Sequence, residues 1–155
     1  MVEAVATLLR ELGWEVAVEV SFNIGRERGS IDVLAFHPAT GLVLVVEVKS
    51  VVPDIQAMLF VLDRKTRLAT EIARQRGWDA RGTARLLVVA DGRTARRRVA
   101  EHATTFDTAF PQRAVAIKRW LRHPEPGRPF SGLWFLADAR RAGGRHRIGG
   151  RARRR

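Results

Sequence analysis

The chain has 155 residues, 46% of them hydrophobic, which is enough for one domain with a buried core and too apolar for a disordered chain. It has no cysteine, which excludes a disulfide framework and thiolate metal sites, and no apolar run approaches the ~20 residues of a membrane span. The net charge of +12 favours a polyanionic partner, most simply nucleic acid, and the lack of a spanning run leaves no membrane expected.

That charge is unevenly spread. The last sixteen residues, "RRAGGRHRIGGRARRR", hold eight arginines, and without them 20 basic residues face 16 acids. Residues 139–155 therefore read as a disordered Arg/Gly-rich tail able to hold phosphate backbones without sequence preference. A purely solubilising extension is the competing account. Residues 1–138 read as a single domain, with a core over about 1–91 and a C-terminal extension over 92–138. The N-terminus carries acids within an amphipathic pattern and lacks the basic start of a signal peptide, so a cytoplasmic location is expected.

Residues 2–12 predict a helix with Val5, Leu8, Leu9 and Leu12 on one face and Gly13 as its stop. "WEVAVEVSF" (14–22) alternates, placing Trp14, Val16, Val18 and Val20 on one side of a strand. "NIGRERG" (23–29) reads as a basic loop. "SIDVLAFH" (30–37) and "LVLVVEVKS" (42–50) are two further strands around the turn signal "PATG". Pro53 opens a long helix running to about Arg76, with Ile55, Met58, Leu59, Leu62, Ala69 and Ile72 as its inner stripe. "RLLVVA" (85–90) is an apolar strand covered on both faces. A short helix follows near 93–103, residues 114–121 fit helix or strand, and "GLWFLA" (132–137) fits a last strand. The fold class is α/β: a helix, a three-strand antiparallel meander, a helix and a strand placed by a crossover, forming a mixed sheet flanked by helices.

The informative spacing lies across the second and third strands. A four-residue "PATG" loop pairs His37 with Leu42. Asp32 then falls opposite Glu47, with Lys49 on the same face opposite Ser30. Two such carboxylates stand about 5 Å apart and repel. A shared proton or a divalent cation resolves the repulsion, and Mg²⁺ suits hard oxygen donors completed by water and phosphate. A plain Glu47–Lys49 surface pair, with Asp32 incidental, is the competing account.

The array "GSID…VVEVKS" after a helix and a strand resembles the PD-(D/E)XK, or restriction-endonuclease-like, nuclease superfamily, and is similar to Holliday-junction-resolvase-like domains over about residues 1–91. The resemblance implies a metal-dependent DNA endonuclease using Mg²⁺ or Mn²⁺. By its motif Asp32 and Glu47 hold the metal together with the Val48 carbonyl, and Lys49 positions the attacking water or the phosphate. The family's proline before the first acid is Ile31 here. Members also carry a helix-1 glutamate, for which Glu3 and Glu11 both qualify. Gln56 stands where several families place a polar residue near metal or substrate; an exposed helix glutamine is the alternative. Arg26 and Arg28, Ser30, and Lys65 within "DRKTR" are candidate nucleic-acid contacts, although Asp63–Arg67 and Arg67–Glu71 are also ordinary i,i+4 pairs. A non-cleaving nucleic-acid-binding or regulatory module on the same scaffold is the alternative function. A homodimer, a separate DNA-binding or regulatory domain outside this chain and association with the nucleoid are further expectations. Histidines 37, 102, 123 and 146 form no zinc spacing. No phosphate-binding Gly loop with a lysine is present. Trp78, Trp120 and Trp134 read as core.

Overall fold

A computed structural model describes residues 1–137; the Arg/Gly-rich stretch 139–155 lies outside the described residues. The elements in chain order are α1 (Val2–Glu11), β1 (Glu15–Ile24), β2 (Glu27–His37), β3 (Leu42–Lys49), α2 (Ile55–Gln75), β4 (Gly82–Ala90), α3 (Arg93–Glu101), α4 (Ala103–Ala109), α5 (Ala114–Arg122) and β5 (Ser131–Leu136). The sheet is open, mixed and five-stranded, in the order β1-β2-β3-β4-β5. The first three strands form the expected antiparallel meander. β4 lies parallel to β3, and β5 parallel to β4. The arrangement is thus an α/β fold in which α2 makes the crossover that a parallel neighbour demands. No helix among the described residues is long and apolar enough to cross a membrane.

Two apolar layers cover the sheet. α2 contributes Ile55, Met58, Leu62, Leu68, Ala69 and Ile72 to one, against Val43 and Val45 of β3 and Leu87 and Val89 of β4. α1 and α5 contribute Val5, Leu9, Ile117 and Leu121 to the other, against Leu44 and Val46 of β3 and Leu86 and Val88 of β4. The unbroken apolar runs of β3 and β4 follow from this, because their odd and even side chains both enter a core.

Several boundaries depart from the sequence reading. The "NIGRERG" segment is a tight hairpin rather than a loop: Ile24 pairs with Glu27, and Gly25, at φ +59, supplies the left-handed turn residue. β1 does not alternate throughout. Val16 and Val18 pack with the α1 layer, whereas Val20 and Phe22 pack with the α2 layer. The switch falls at Glu19, a non-glycine residue at φ +48, which turns the strand over by one step. β2 switches at the same level, with Ile31 in the α2 layer and Val33 in the α1 layer. α2 begins at Ile55 rather than Pro53, because Asp54 caps it, its side chain accepting from Ala57 N–H at 2.9 Å. The helix expected near 93–103 is α3, an unexpected short helix α4 follows it, and residues 114–122 are helical. Trp134 is core, while Trp78 and Trp120 are half-buried and stack on Phe36 and Phe130.

Candidate functional site

The "PATG" turn fixes the register as its length requires. His37 pairs with Leu42, and the ladder continues to Val33 opposite Val46. There it stops, so the expected backbone pairings of Asp32 with Glu47 and of Ser30 with Lys49 do not form. The reason is the face switch in β1 and β2, which peels β2 away from β3. Ser30 remains paired to Ser21 of β1 and is exposed. Asp32 spans the opening with its side chain instead: Oδ2 accepts the Val48 N–H at 2.8 Å. The first acid therefore docks on the backbone immediately after the second.

Glu47 points into the α2 layer by the period of β3 and is only 4% exposed. A carboxylate at that depth needs a compensating cation, and two stand beside it. Lys65 Nζ donates to Oε1 at 3.0 Å and to Oε2 at 2.9 Å. Lys49 Nζ lies 3.6 Å from Oε1, with its side chain one-third exposed. Lys65 is itself 6% exposed. It sits on the inward stripe of α2 with Met58, Leu62, Leu68, Ala69 and Ile72. It is thus no surface contact of the "DRKTR" segment but the buried partner of Glu47. Its position in that stripe, three residues after Leu62 and four before Ala69, was the available signal; its charge argued against reading it as buried.

A cleft of about 220 Å³ opens beside this cluster, lined by Glu47, Lys49, Pro53, Asp54, Ala57, Met58 and Val61. Gln56 is exposed and does not line it; Asp54 and Ala57 take the first-turn positions that face it. Glu3 and Glu11 are both exposed on α1, which packs on the sheet face opposite α2. No group of three or more acidic or histidine side chains gathers for a metal among the described residues, so neither glutamate joins Asp32 and Glu47.

Arg26 lies in the β1–β2 turn, and Arg28 on the first turn-proximal residues of β2; both are exposed. Arg64 Nη2 donates to the Arg28 carbonyl at 3.4 Å, and Arg67 pairs with Glu27 at 2.6 Å. The expected i,i+4 pairs of Arg67 give way to this contact, and Asp63 pairs with Arg85. Across the cleft, Arg98 Nη2 donates to the Pro53 carbonyl at 3.2 Å and ties α3 to the segment that follows Lys49. A neighbouring cavity of about 310 Å³ runs between Ser50–Val52 and Arg93, Thr94 and Arg98.

The donor set suits a hard divalent cation, since the two carboxylates and the carbonyl of Val48, the residue after Glu47, are oxygen ligands. Of the four carboxylate oxygens, Asp32 Oδ2 and both oxygens of Glu47 already accept protein hydrogen bonds. Each retains a second lone pair, so the fit carries one condition: Lys65 must yield to a cation that takes Glu47 in its place. No family model matches the chain, and no curated protein matches it.

Proposed function

We propose that the chain is a metal-dependent nuclease of the PD-(D/E)XK type, hydrolysing phosphodiester bonds of DNA with Mg²⁺ or Mn²⁺. The observation that carries this reading is the meeting of Asp32 with the Glu47–Val48 step, with Lys49 and Lys65 both beside Glu47. The order of α1, the antiparallel meander, α2 and a parallel β4 supports a restriction-endonuclease-like core.

In this reading Asp32, Glu47 and the Val48 carbonyl hold the cation, which supplies Lewis-acid polarisation of the phosphate and an activated water. The hydrogen bond from Val48 N–H holds Asp32 in one orientation, which limits the reorganisation needed at the moment of binding. Lys49, the more exposed of the two lysines, reaches the cleft and binds a phosphate oxygen or orients the water as a mobile point charge. Arg26, Arg28 and the arginines of α3 contact the phosphate backbone on either side and position the strand without reading its sequence. The same reading assigns the chain to the nucleoid.

The direct test incubates the purified protein with linear, circular and branched DNA in Mg²⁺ or Mn²⁺. Cleavage is expected, and Asp32→Ala is expected to abolish it. If no substrate is cut under these conditions, the enzymatic reading is wrong. One observation favours a second reading, a non-cleaving nucleic-acid-binding module: the full engagement of Glu47 by Lys65. Salt-sensitive DNA binding that is indifferent to divalent cation, without cleavage, distinguishes it.

A further inference from the structure

We infer that Lys65 occupies the cation seat of Glu47, so that a divalent metal gains this carboxylate only by displacing the lysine. The inference rests on the metal-dependent reading above and concerns how that site is regulated.

Three observations carry it. Lys65 Nζ sits between both oxygens of Glu47, at 3.0 and 2.9 Å, which is where a cation held by the two oxygens would stand. Both residues are buried, so water screens the pair little and the lysine competes at close to full strength. The 21-residue helix α2 is anchored on the sheet by its apolar stripe, so the lysine is delivered to Glu47 by the fold and not by chance rotamer choice.

The charges then explain when the metal binds. Asp32 and Glu47 oppose Lys49 and Lys65, so these four groups sum to zero; Asp54, which lines the same cleft, is already engaged by the Ala57 N–H at the start of α2. A dication added to a neutral, half-dry cluster has no net charge to attract it. A phosphodiester entering the cleft brings negative charge beside Lys49, which lines it, and so restores an attraction for the dication. Metal and nucleic acid therefore bind cooperatively, each raising the affinity for the other by the same factor. Lys49 remains 3.6 Å from Glu47 and keeps the carboxylate partly compensated during the exchange. Lys65 is in this sense a positioning residue, which holds Glu47 in place until the substrate arrives.

The test titrates Mn²⁺ into the purified protein without nucleic acid, read by electron paramagnetic resonance of free Mn²⁺ and by thermal denaturation. Lys65→Met and Lys65→Gln are expected to bind Mn²⁺ at least tenfold more tightly than the unsubstituted protein. Lys65→Met is also expected to gain a rise in Tm on adding Mn²⁺ that the unsubstituted protein lacks at the same concentration. Lys65→Gln can still donate to Glu47 and carries the comparison if Lys65→Met does not fold. Equal or weaker affinity in the variants, with binding abolished by Asp32→Ala, overturns the role of Lys65 and leaves the metal site standing. An absence of Mn²⁺ binding in every form overturns both.

Discussion

Glu47 and Lys65 are the two polar residues that the described fold buries, and they are buried against each other. Removing one partner of such a pair strands the other in a low-dielectric setting, at a cost of about 3–5 kcal/mol. Lys49 stands 3.6 Å from the same carboxylate, so Lys65→Met is expected at the lower end of that range. Glu47→Leu combined with Lys65→Met removes both charges at once and is expected to recover most of the stability, because hydrophobic replacement of a whole buried pair is often neutral or stabilising. Urea denaturation of the two single variants and the double variant measures this directly. Additive destabilisation in the double variant would show that the pair is not a coupled unit. Asp32 differs in kind. It is half-buried, and its hydrogen bond to Val48 N–H replaces a ladder contact that β2 no longer makes.

At the level of elements, the β2–β3 hairpin sets where the acids meet. Its turn is pinned by Gly41, at φ +72, and by a 2.9 Å contact between His37 Nδ1 and Thr40 Oγ1. Burial lowers the His37 pKa from its ordinary 6.5, against the ring of Trp14 at 5.0 Å. The folded state therefore resists the proton more than the unfolded chain does. Stability from this source is complete above 6.5 and is eroded as pH falls from there through the depressed folded value. NMR titration is expected to place the His37 midpoint below 6.5, with Thr40 and Gly41 amides reporting the same transition. At the far edge of the sheet, in the same layer as Trp14, β5 approaches α5 so closely that a Cβ at Gly132 would meet Ile117 at 2.9 Å and Leu86 at 3.3 Å. Gly132→Ala is expected to cost about 1–3 kcal/mol through overpacking, read as a lower denaturation midpoint with unchanged slope.

At the level of the whole molecule, the two layers divide the labour. The α1–α5 layer is apolar filling, whereas the α2 layer carries the buried ion pair and opens the cleft at the carboxyl end of β3. Basic side chains flank that opening on two sides: the β1–β2 hairpin tip and α3, tied to Pro53 by Arg98. The stretch 140–155 adds eight arginines to the chain. Deleting residues 139–155 is expected to weaken DNA binding chiefly at low salt. It is also expected to flatten the dependence of log affinity on log salt, by about 0.9 for each phosphate that those arginines neutralise in the full chain. Fluorescence anisotropy across a salt series reads this. An unchanged slope would mean that residues 1–138 bind the phosphates by themselves.

The sequence by itself determined the α/β class, the order of the first strands and helices, and the register of the β2–β3 hairpin. Strand period and the length of "PATG" are local quantities, and they fix the ladder from His37–Leu42 to Val33–Val46, one residue short of Asp32 and Glu47. Gly13 likewise marks a helix end as expected, at φ +90. Only the tertiary structure decided what stabilises the acids. The turnover at Glu19 and Asp32 depends on which helix layer each strand end meets, and no single-strand pattern contains that. Lys65 lay in plain view on a helical stripe, but a lysine belongs in a core only where a distant carboxylate awaits it. That partner is 18 residues away in sequence and becomes adjacent only when α2 crosses the sheet. The cation required beside Glu47 was legible as a need; that the chain supplies one from its own helix is a property of the fold.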